Sequence, residues 1–245
     1  MKYLGSKAKL AKYIVPILQE IINKENVACY AEPFVGGANI LDKIQHRVKI
    51  GYDIDEIPII LLDKIPKNPD LLQYLPERLT KEHYYDVRDN RVKYQDWYYA
   101  AIMLFGSYNS RVYGGCYGAE TKTKGDGFRN YYKEAINNFK NQLPLLKPTT
   151  FLCSDYRKMN LIEKSLIYCD PPYKNGVGYS TKFNHEEFWD WVREQSKKHI
   201  VVVSENEAPE DFKCIWELEV QSGLNNRKKV KKTEKLFIYK GGCLK

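Results

Sequence analysis

The sequence predicts an α/β protein built on a nucleotide-binding sheet, with a subdomain inserted in its middle third. Three observations predict it. Near the start, an apolar segment runs into a glycine-bearing loop, and a second apolar segment follows that ends in an acid. From about residue 150 the sheet pattern returns, with β-rich apolar runs on either side of a helical stretch. Between these halves, helical patterns mix with polar loops.

Each element follows in order. Residues 10–22 carry Leu10, Ile14, Val15, Ile17, Leu18, Ile21 and Ile22 at helical spacing. Residues 27–31 read as a short buried strand that enters the loop Glu32-Pro-Phe-Val-Gly-Gly-Ala38. Residues 39–44 look like the start of a helix, and residues 48–52 form a second strand that ends at Asp53. The insertion occupies residues 61–148, which leaves residues 1–60 and 149–245 as one domain. Within the insertion, residues 119–129 are turn-rich and basic and show no apolar periodicity. Residues 150–153 and 165–169 are short strands, and the second runs into Asp170-Pro-Pro-Tyr173. Residues 188–196 suit a helix, and the β-branched run at 199–204 is the clearest buried strand. Residues 214–220 and 235–239 read as a closing antiparallel pair, with the charge run Arg227-Lys-Lys-Val-Lys-Lys232 between them.

Composition narrows the class. A chain of 245 residues suits one large domain or one domain with an insertion, and it buries a core without disulfide staples. The net charge of +8 favours polyanionic partners, nucleic acid or an anionic membrane. None of the six cysteines sits in a Cys-x-x-Cys pair and the four histidines are scattered, so zinc-ligand spacing is absent and no metal is expected. The start of the sequence has no apolar signal core, and no apolar run nears the roughly 18 residues of a membrane span, so a reducing cytoplasm is the expected setting. Many of the 20 tyrosines fall between residues 84 and 132, where they read either as half-buried core or as surfaces for base stacking.

The strongest chemical signal is Asp170-Pro-Pro-Tyr173. After a buried strand it lies at the carboxyl edge of a sheet, where α/β proteins bind ligands. An aryl amine is a poor nucleophile because its lone pair is delocalised into the ring. A carboxylate and a backbone carbonyl that accept its two hydrogens favour a tetrahedral nitrogen and free that pair. Pro171 and Pro172 fix the backbone, so the carbonyl keeps one direction. The Asp170 carboxylate also favours positive charge developing on the nitrogen, and Tyr173 offers a flat face for stacking. The alternative is a rigid turn after a strand.

The loop that contains Glu32, Phe34 and Gly36 lets a ligand approach the backbone closely. It lacks the Gly-x-Gly-x-x-Gly of a dinucleotide site, so a ligand without a pyrophosphate is expected, such as S-adenosyl-L-methionine. Asp53 ends the next strand slightly short of the usual spacing for a ribose-binding acid, and reads as that acid or as a helix cap. Asp155 either bonds the ligand's adenine ring or caps a turn. The run 227–232 either meets phosphate or forms a solvated hairpin.

In this order the motifs resemble the D12-class, Dam-like adenine-specific DNA methyltransferases of the alpha group. The resemblance covers nearly the whole chain. It rests on Lys2-Tyr-Leu-Gly-Ser-Lys7, Glu32-Pro-Phe-Val-Gly-Gly, Tyr52-Asp-Ile-Asp55, Tyr168-Cys-Asp-Pro-Pro-Tyr173 and Lys232-Thr-Glu-Lys-Leu-Phe237. It implies a Rossmann-like, class I methyltransferase sheet of seven strands with the last one antiparallel, and a mainly helical target-recognition domain inserted in it. It further implies that Tyr3, Lys7, Asp53 and Asp170 contact S-adenosyl-L-methionine, with Lys7 paired to the methionine carboxylate. Lys2 would face double-stranded DNA, and residues 109–118 resemble the hairpin that enters it, with Asn109, Arg111 and Tyr113 as contacts. Tyr113 is a candidate to fill the gap left by a flipped base, or a core tyrosine. Two departures stand out. Ala38 and Asn39 replace the family's usual glycine and serine; alanine is small enough for binding to survive. Arg111 is the single arginine in 109–118 and does not fall clearly on the family's base-reading arginine, so no target sequence is implied.

The implied reaction is direct transfer of a methyl group to the 6-amino group of a flipped adenine, with no covalent enzyme intermediate and no metal. A cognate restriction enzyme is a candidate partner, and a monomer is the expected state. Other acceptors on the same fold, such as RNA, cytosine or a protein amide, tend to use motifs that begin with Asn or Ser. A catalytically dead DNA-binding scaffold is a second alternative, and a nucleotide-dependent oxidoreductase a remote third.

Overall fold

Seven strands make one sheet in the computed structural model, which describes residues 1–110, 115–116, 120–122, 127–173, 183–222 and 230–243. They are β1 (Tyr30–Glu32), β2 (Lys49–Asp53), β5 (Thr149–Cys153), β6 (Leu166–Cys169), β7 (Ile200–Glu205), β8 (Phe212–Ser222) and β9 (Val230–Tyr239), and they stand in the order β5-β2-β1-β6-β7-β9-β8. The first five run parallel, and β9 lies antiparallel between β7 and β8. This is the expected Rossmann-like sheet. From β1 the chain moves outward to β2 and β5 on one side, and later to β6 and β7 on the other. Successive connections therefore diverge beside β1, and a crevice opens at the carboxyl ends of β1 and β6.

Side-chain alternation explains why these segments are strands. Leu166, Tyr168, Ile200, Val202, Leu236 and Ile238 join the buried cluster on one face of the sheet. Their neighbours Ile167, Cys169, Val201, Val203 and Phe237 join the cluster on the other. Burial on both faces gives continuous apolar runs rather than a polar–apolar alternation. The helix α6 (His185–Gln195) covers the second face through Phe188, Trp189 and Val192, and Asn184 caps it by accepting from the Glu187 amide at 3.2 Å.

The first face is covered by α1 (Ala11–Glu25), α2 (Glu56–Lys67), α4 (Asp96–Gly106) and α5 (Tyr131–Leu146), which share one buried cluster with the strands. A shorter helix, α3 (Lys81–Asp89), packs on α4. Asp55 starts α2 by accepting from the Ile57 amide at 3.0 Å, and the helix runs across residue 61 without a break. From Tyr99 to Gly106 every residue of α4 is buried, as in a helix enclosed on all sides. Core packing therefore continues from the sheet into the middle third of the chain. Tyr84, Tyr99 and Tyr132 are fully buried there, Tyr94 and Tyr98 are half-buried and stacked with centroids 5.6 Å apart, and Tyr85 and Tyr108 reach the surface.

Two expectations differ from the structure. Residues 39–44 do not begin an α-helix; they form one 3₁₀ turn at Leu41–Lys43. Only sixteen residues join β1 to β2, and the glycine loop takes the first of them, so no length remains for a helix that crosses back along the sheet. Ile40, Leu41 and Ile44 are buried as a plug instead, and α1 is tied alongside where Gln19 accepts from the Gln45 amide at 2.9 Å. Residues 119–129 are not wholly irregular: β3 (Glu120–Lys122) pairs with β4 (Phe128–Asn130) as a separate antiparallel ribbon. Backbone pairing in so short a ribbon needs no apolar periodicity. Val230 to Lys232 of the basic run pair within β9, and its residues 227–229 lie outside the described residues. No helix among the described residues is long and apolar enough to cross a membrane.

Candidate active site

Asp170 follows β6 directly, so the crevice beside β1 receives its carboxylate. Lys7 Nζ donates to Asp170 Oδ1 at 2.8 Å. Lys7 is only 6% exposed, and a buried ammonium is tolerated only when paired. Among the described residues its partners are Asp170, Glu234 Oε2 at 3.9 Å, and the face of Tyr173, whose centroid lies 4.5 Å away. The Tyr173 hydroxyl donates to Glu234 Oε2 at 2.7 Å and lies 3.5 Å from Ser204 Oγ. Burial, with the charges of Asp170 and Glu234 beside it, pushes the Tyr173 phenol up, so it stays protonated and remains a donor. Pro171 is buried and Pro172 partly so, and their fixed φ angles set the course of the chain between Asp170 and Tyr173.

The glycine loop forms the other half of the site. Gly36 has φ +46° and its amide donates to Asp53 Oδ2 at 2.9 Å, while the Asp55 amide donates to Oδ1 at 3.0 Å. Burial pushes the Asp53 carboxyl up to about 6 against these bonds. The Tyr3 ring lies on the loop: a Cβ on Gly36 would stand 2.7 Å from its Cε1, so glycine is required there. Gln142 Nε2 donates to the carbonyls of Gly37 and Ala38 at 3.1 Å each, and so ties α5 to the loop. Ala38 has φ +54°, the left-handed region that the family's usual glycine enters without strain.

Glu32 lies buried at the end of β1 and accepts from the Tyr30 hydroxyl at 2.6 Å. Burial raises its carboxyl to about 8, with the nearby Asp42 and Asp170 adding to the rise, so it is mostly neutral at pH 7. Phe34 packs into an aromatic wall with Tyr156, Phe183 and Phe188, at centroid distances of 5.4, 5.8 and 5.8 Å. Asp155 caps the turn Tyr156–Lys158, accepting from the Arg157 amide and guanidinium Nε at 2.9 Å each.

Lys7, Asp170 and Tyr173 thus meet directly, and Tyr3, Gly36 and Asp53 form a second group. Lys2 lies apart, exposed, with Nζ 5.6 Å from the Tyr131 ring and its carbonyl accepting from Ser110 Oγ at 2.9 Å. Asn109 belongs to the 3₁₀ turn Tyr108–Ser110, while Arg111 and Tyr113 lie outside the described residues. Two members of the site were not singled out from the sequence: Ser204 and Glu234. Glu234 had a visible signal, a carboxylate just before the apolar run Leu236-Phe237-Ile238 on the face of the core. Arg129, stacked 4.6 Å from the Tyr131 ring, is a further cation near Lys2.

A sheet that diverges beside a glycine loop, with a carboxylate on a proline-fixed turn at the divergence, is the arrangement in which α/β proteins bind ligands at the carboxyl edge. Residues 3–214 match the D12 class N6 adenine-specific DNA methyltransferase family, and the chain belongs to that family. It is similar to the Type II methyltransferase M.MjaIII of Methanocaldococcus jannaschii, with 29% identity over 78% of this chain and 74% of that protein. It is also similar to the Type II methyltransferase M.FokI of Planomicrobium okeanokoites, with 23% identity over 98% of this chain and 38% of that protein. Family membership decides for an adenine DNA methyltransferase over the RNA, cytosine, protein and oxidoreductase readings.

Proposed function

We propose that the chain transfers a methyl group from S-adenosyl-L-methionine to the 6-amino group of adenine in duplex DNA, with the target base turned out of the helix. The observation that carries this is the 2.8 Å contact of Lys7 with Asp170, which joins the cofactor side of the crevice to the acceptor side through one bond.

The residues fit the cofactor. Asp53 is an acceptor at the sheet edge beside a loop that tolerates no Cβ at Gly36, suited to ribose hydroxyls. Lys7 is a buried cation suited to the methionine carboxylate, and Tyr3 and Phe34 supply ring walls. Glu32 and Asp170 complete the floor between them. Asp155 lies two residues beyond β5, next to Asp53, whose carbonyl accepts from the Ser154 amide at 2.9 Å; we retain it as the acceptor for the adenine amine. When bound, S-adenosyl-L-methionine supplies a methyl group on a cationic sulfur.

Asp170 and the Pro171 carbonyl accept the hydrogens of the target amine and turn its lone pair toward that methyl group. Tyr173 holds the base by its face. The nitrogen–methyl bond forms as the sulfur–methyl bond breaks, the neutral thioether leaves, and the methylated nitrogen, which is acidic, gives its extra proton to water without a strong base. The rate gain comes from positioning and from the fixed carboxylate facing developing positive charge. Residues 61–148 carry DNA recognition in this reading, with residues 1–60 and 149–245 catalytic. Lys2, Asn109, Arg111 and Tyr113 are the proposed DNA contacts. The names of both similar proteins, Type II methyltransferases, support a cognate restriction enzyme as a partner, and our reading takes the chain as a monomer in the cytoplasm.

The test is expression in a methylation-free bacterium, followed by sequencing that maps modified bases. Methyladenine at one short motif is the expected result. Unmodified DNA from protein that still binds S-adenosyl-L-methionine would overturn the acceptor.

A further inference from the structure

Glu234 is a carboxylate where the strand has no use for one. On β9 it shares a face with Leu236 and Ile238, both in the core, and its cross-strand neighbour on β8 is Leu218. It is 6% exposed. A buried carboxylate is unfavourable unless other groups satisfy it, and an apolar side chain would suit this position better if packing alone decided. Two of the groups that meet Glu234 come from the active site. Tyr173 donates its hydroxyl to Oε2 at 2.7 Å, and Lys7 Nζ stands 3.9 Å from the same oxygen.

The Asp-Pro-Pro-Tyr turn explains what such an anchor does. Pro171 and Pro172 have no N–H, so the backbone at those two residues cannot donate to a neighbouring strand. The aromatic ring that follows is fixed at its far end instead, by β9 through Glu234 and beside Ser204 of β7. Lys7 lies over the same ring and holds Asp170. One oxygen of Glu234 therefore orients the stacking ring and sits next to the cation that orients the acceptor carboxylate.

We infer that Glu234 is a positioning residue for methyl transfer, which holds Tyr173 at the angle needed to present the target base to Asp170. The inference rests on the DNA methylation reading above and adds a residue to it. Loss of the anchor frees the ring to turn about its side-chain bonds, so the base is held in more orientations and fewer are productive. Lys7 keeps Asp170, and the Gly36–Asp53 contacts do not involve Glu234, so cofactor binding should be retained.

The experiment compares wild type, Glu234→Ala, Glu234→Gln, Tyr173→Phe and the double variant Glu234→Ala/Tyr173→Phe. Methyl transfer to unmethylated bacterial genomic DNA gives kcat and KM, calorimetry gives the Kd for S-adenosyl-L-methionine, and a thermal melt reports folding. Glu234→Ala and Tyr173→Phe should each lower kcat by about 10–30-fold and leave the cofactor Kd within about threefold. Because both remove one bond, the double variant should fall no more than about threefold below either single. Glu234→Gln keeps an oxygen that accepts from Tyr173 and should recover kcat to within about threefold of wild type. Should Glu234→Ala fail to fold, Tyr173→Phe tests the same bond from its other end. An active wild type with either single variant within twofold of it, or a double variant showing the product of the two losses, would overturn this inference alone. A wild type that binds the cofactor but methylates no DNA would bring down the underlying reading and this inference with it.

Discussion

The two halves of the crevice are built differently. On the side proposed for the cofactor, Asp53 is held by the amides of Gly36 and Asp55, groups within seventeen residues of it. On the side proposed for the target base, Asp170 is held by Lys7, 163 residues away, and Tyr173 by Glu234, 61 residues away. One side is a local turn with backbone donors; the other is a junction of buried and partly buried side chains from three distant segments. Backbone donors follow from a short stretch of chain and persist through most side-chain changes. Such a junction exists only when the whole sheet has formed, and each of its side chains depends on partners far away in the sequence.

Asp170 is the most sensitive of these groups. Asp170→Ala should lower kcat by about 1000-fold or more, since in the proposed mechanism it removes the acceptor for the target amine and the charge facing the developing cation. Circular dichroism should still report the folded sheet, because Glu234 remains near Lys7. Turnover within tenfold of wild type would remove Asp170 from the mechanism.

On the cofactor side the expected effect is smaller and depends on pH. Burial raises the Asp53 carboxyl to about 6, so in the free protein it carries a proton below that pH and a charge above it. A ligand hydroxyl donates better to the charged form, so cofactor affinity should weaken as pH falls from 7.5 to 5.5. Asp53→Asn should weaken binding by about tenfold at pH 7.5, the size of a hydrogen bond to a charged group, and flatten the pH dependence. Calorimetry at both pH values checks this; an unchanged slope in the variant would assign the pH dependence to another group.

The smallest effect sharpens the local half of the comparison. Ala38 has φ +54°, where alanine is strained and glycine is not. Ala38→Gly relieves that strain but loosens the unfolded chain, so the net gain is modest and Tm should rise by about 1–2 °C. A fall in Tm would show that the Ala38 methyl group, fully buried here, contributes more by packing than it costs by strain.

These differences also mark where sequence reading succeeds. Continuous apolar runs identified β6 and β7, because a strand buried on both faces must be apolar along its length. The glycine loop, Asp53 and Asp170-Pro-Pro-Tyr173 were legible because each is a short motif whose chemistry is contained in a few adjacent residues. Residues 39–44 misled because local apolar spacing suits a helix, whereas the short span between β1 and β2 excludes one.

By itself, then, the sequence determined the sheet class, the family and the carboxylates at the sheet edge, since periodicity and short motifs are properties of neighbouring residues. Only the tertiary structure decided that Lys7 pairs with Asp170, that Glu234 anchors Tyr173 and that α4 and α5 share the core of the sheet. The physical reason is that a pattern along the chain records which face is buried but not what it is buried against. A buried charge finds its partner through the fold, and at this site the partners lie at opposite ends of the sequence.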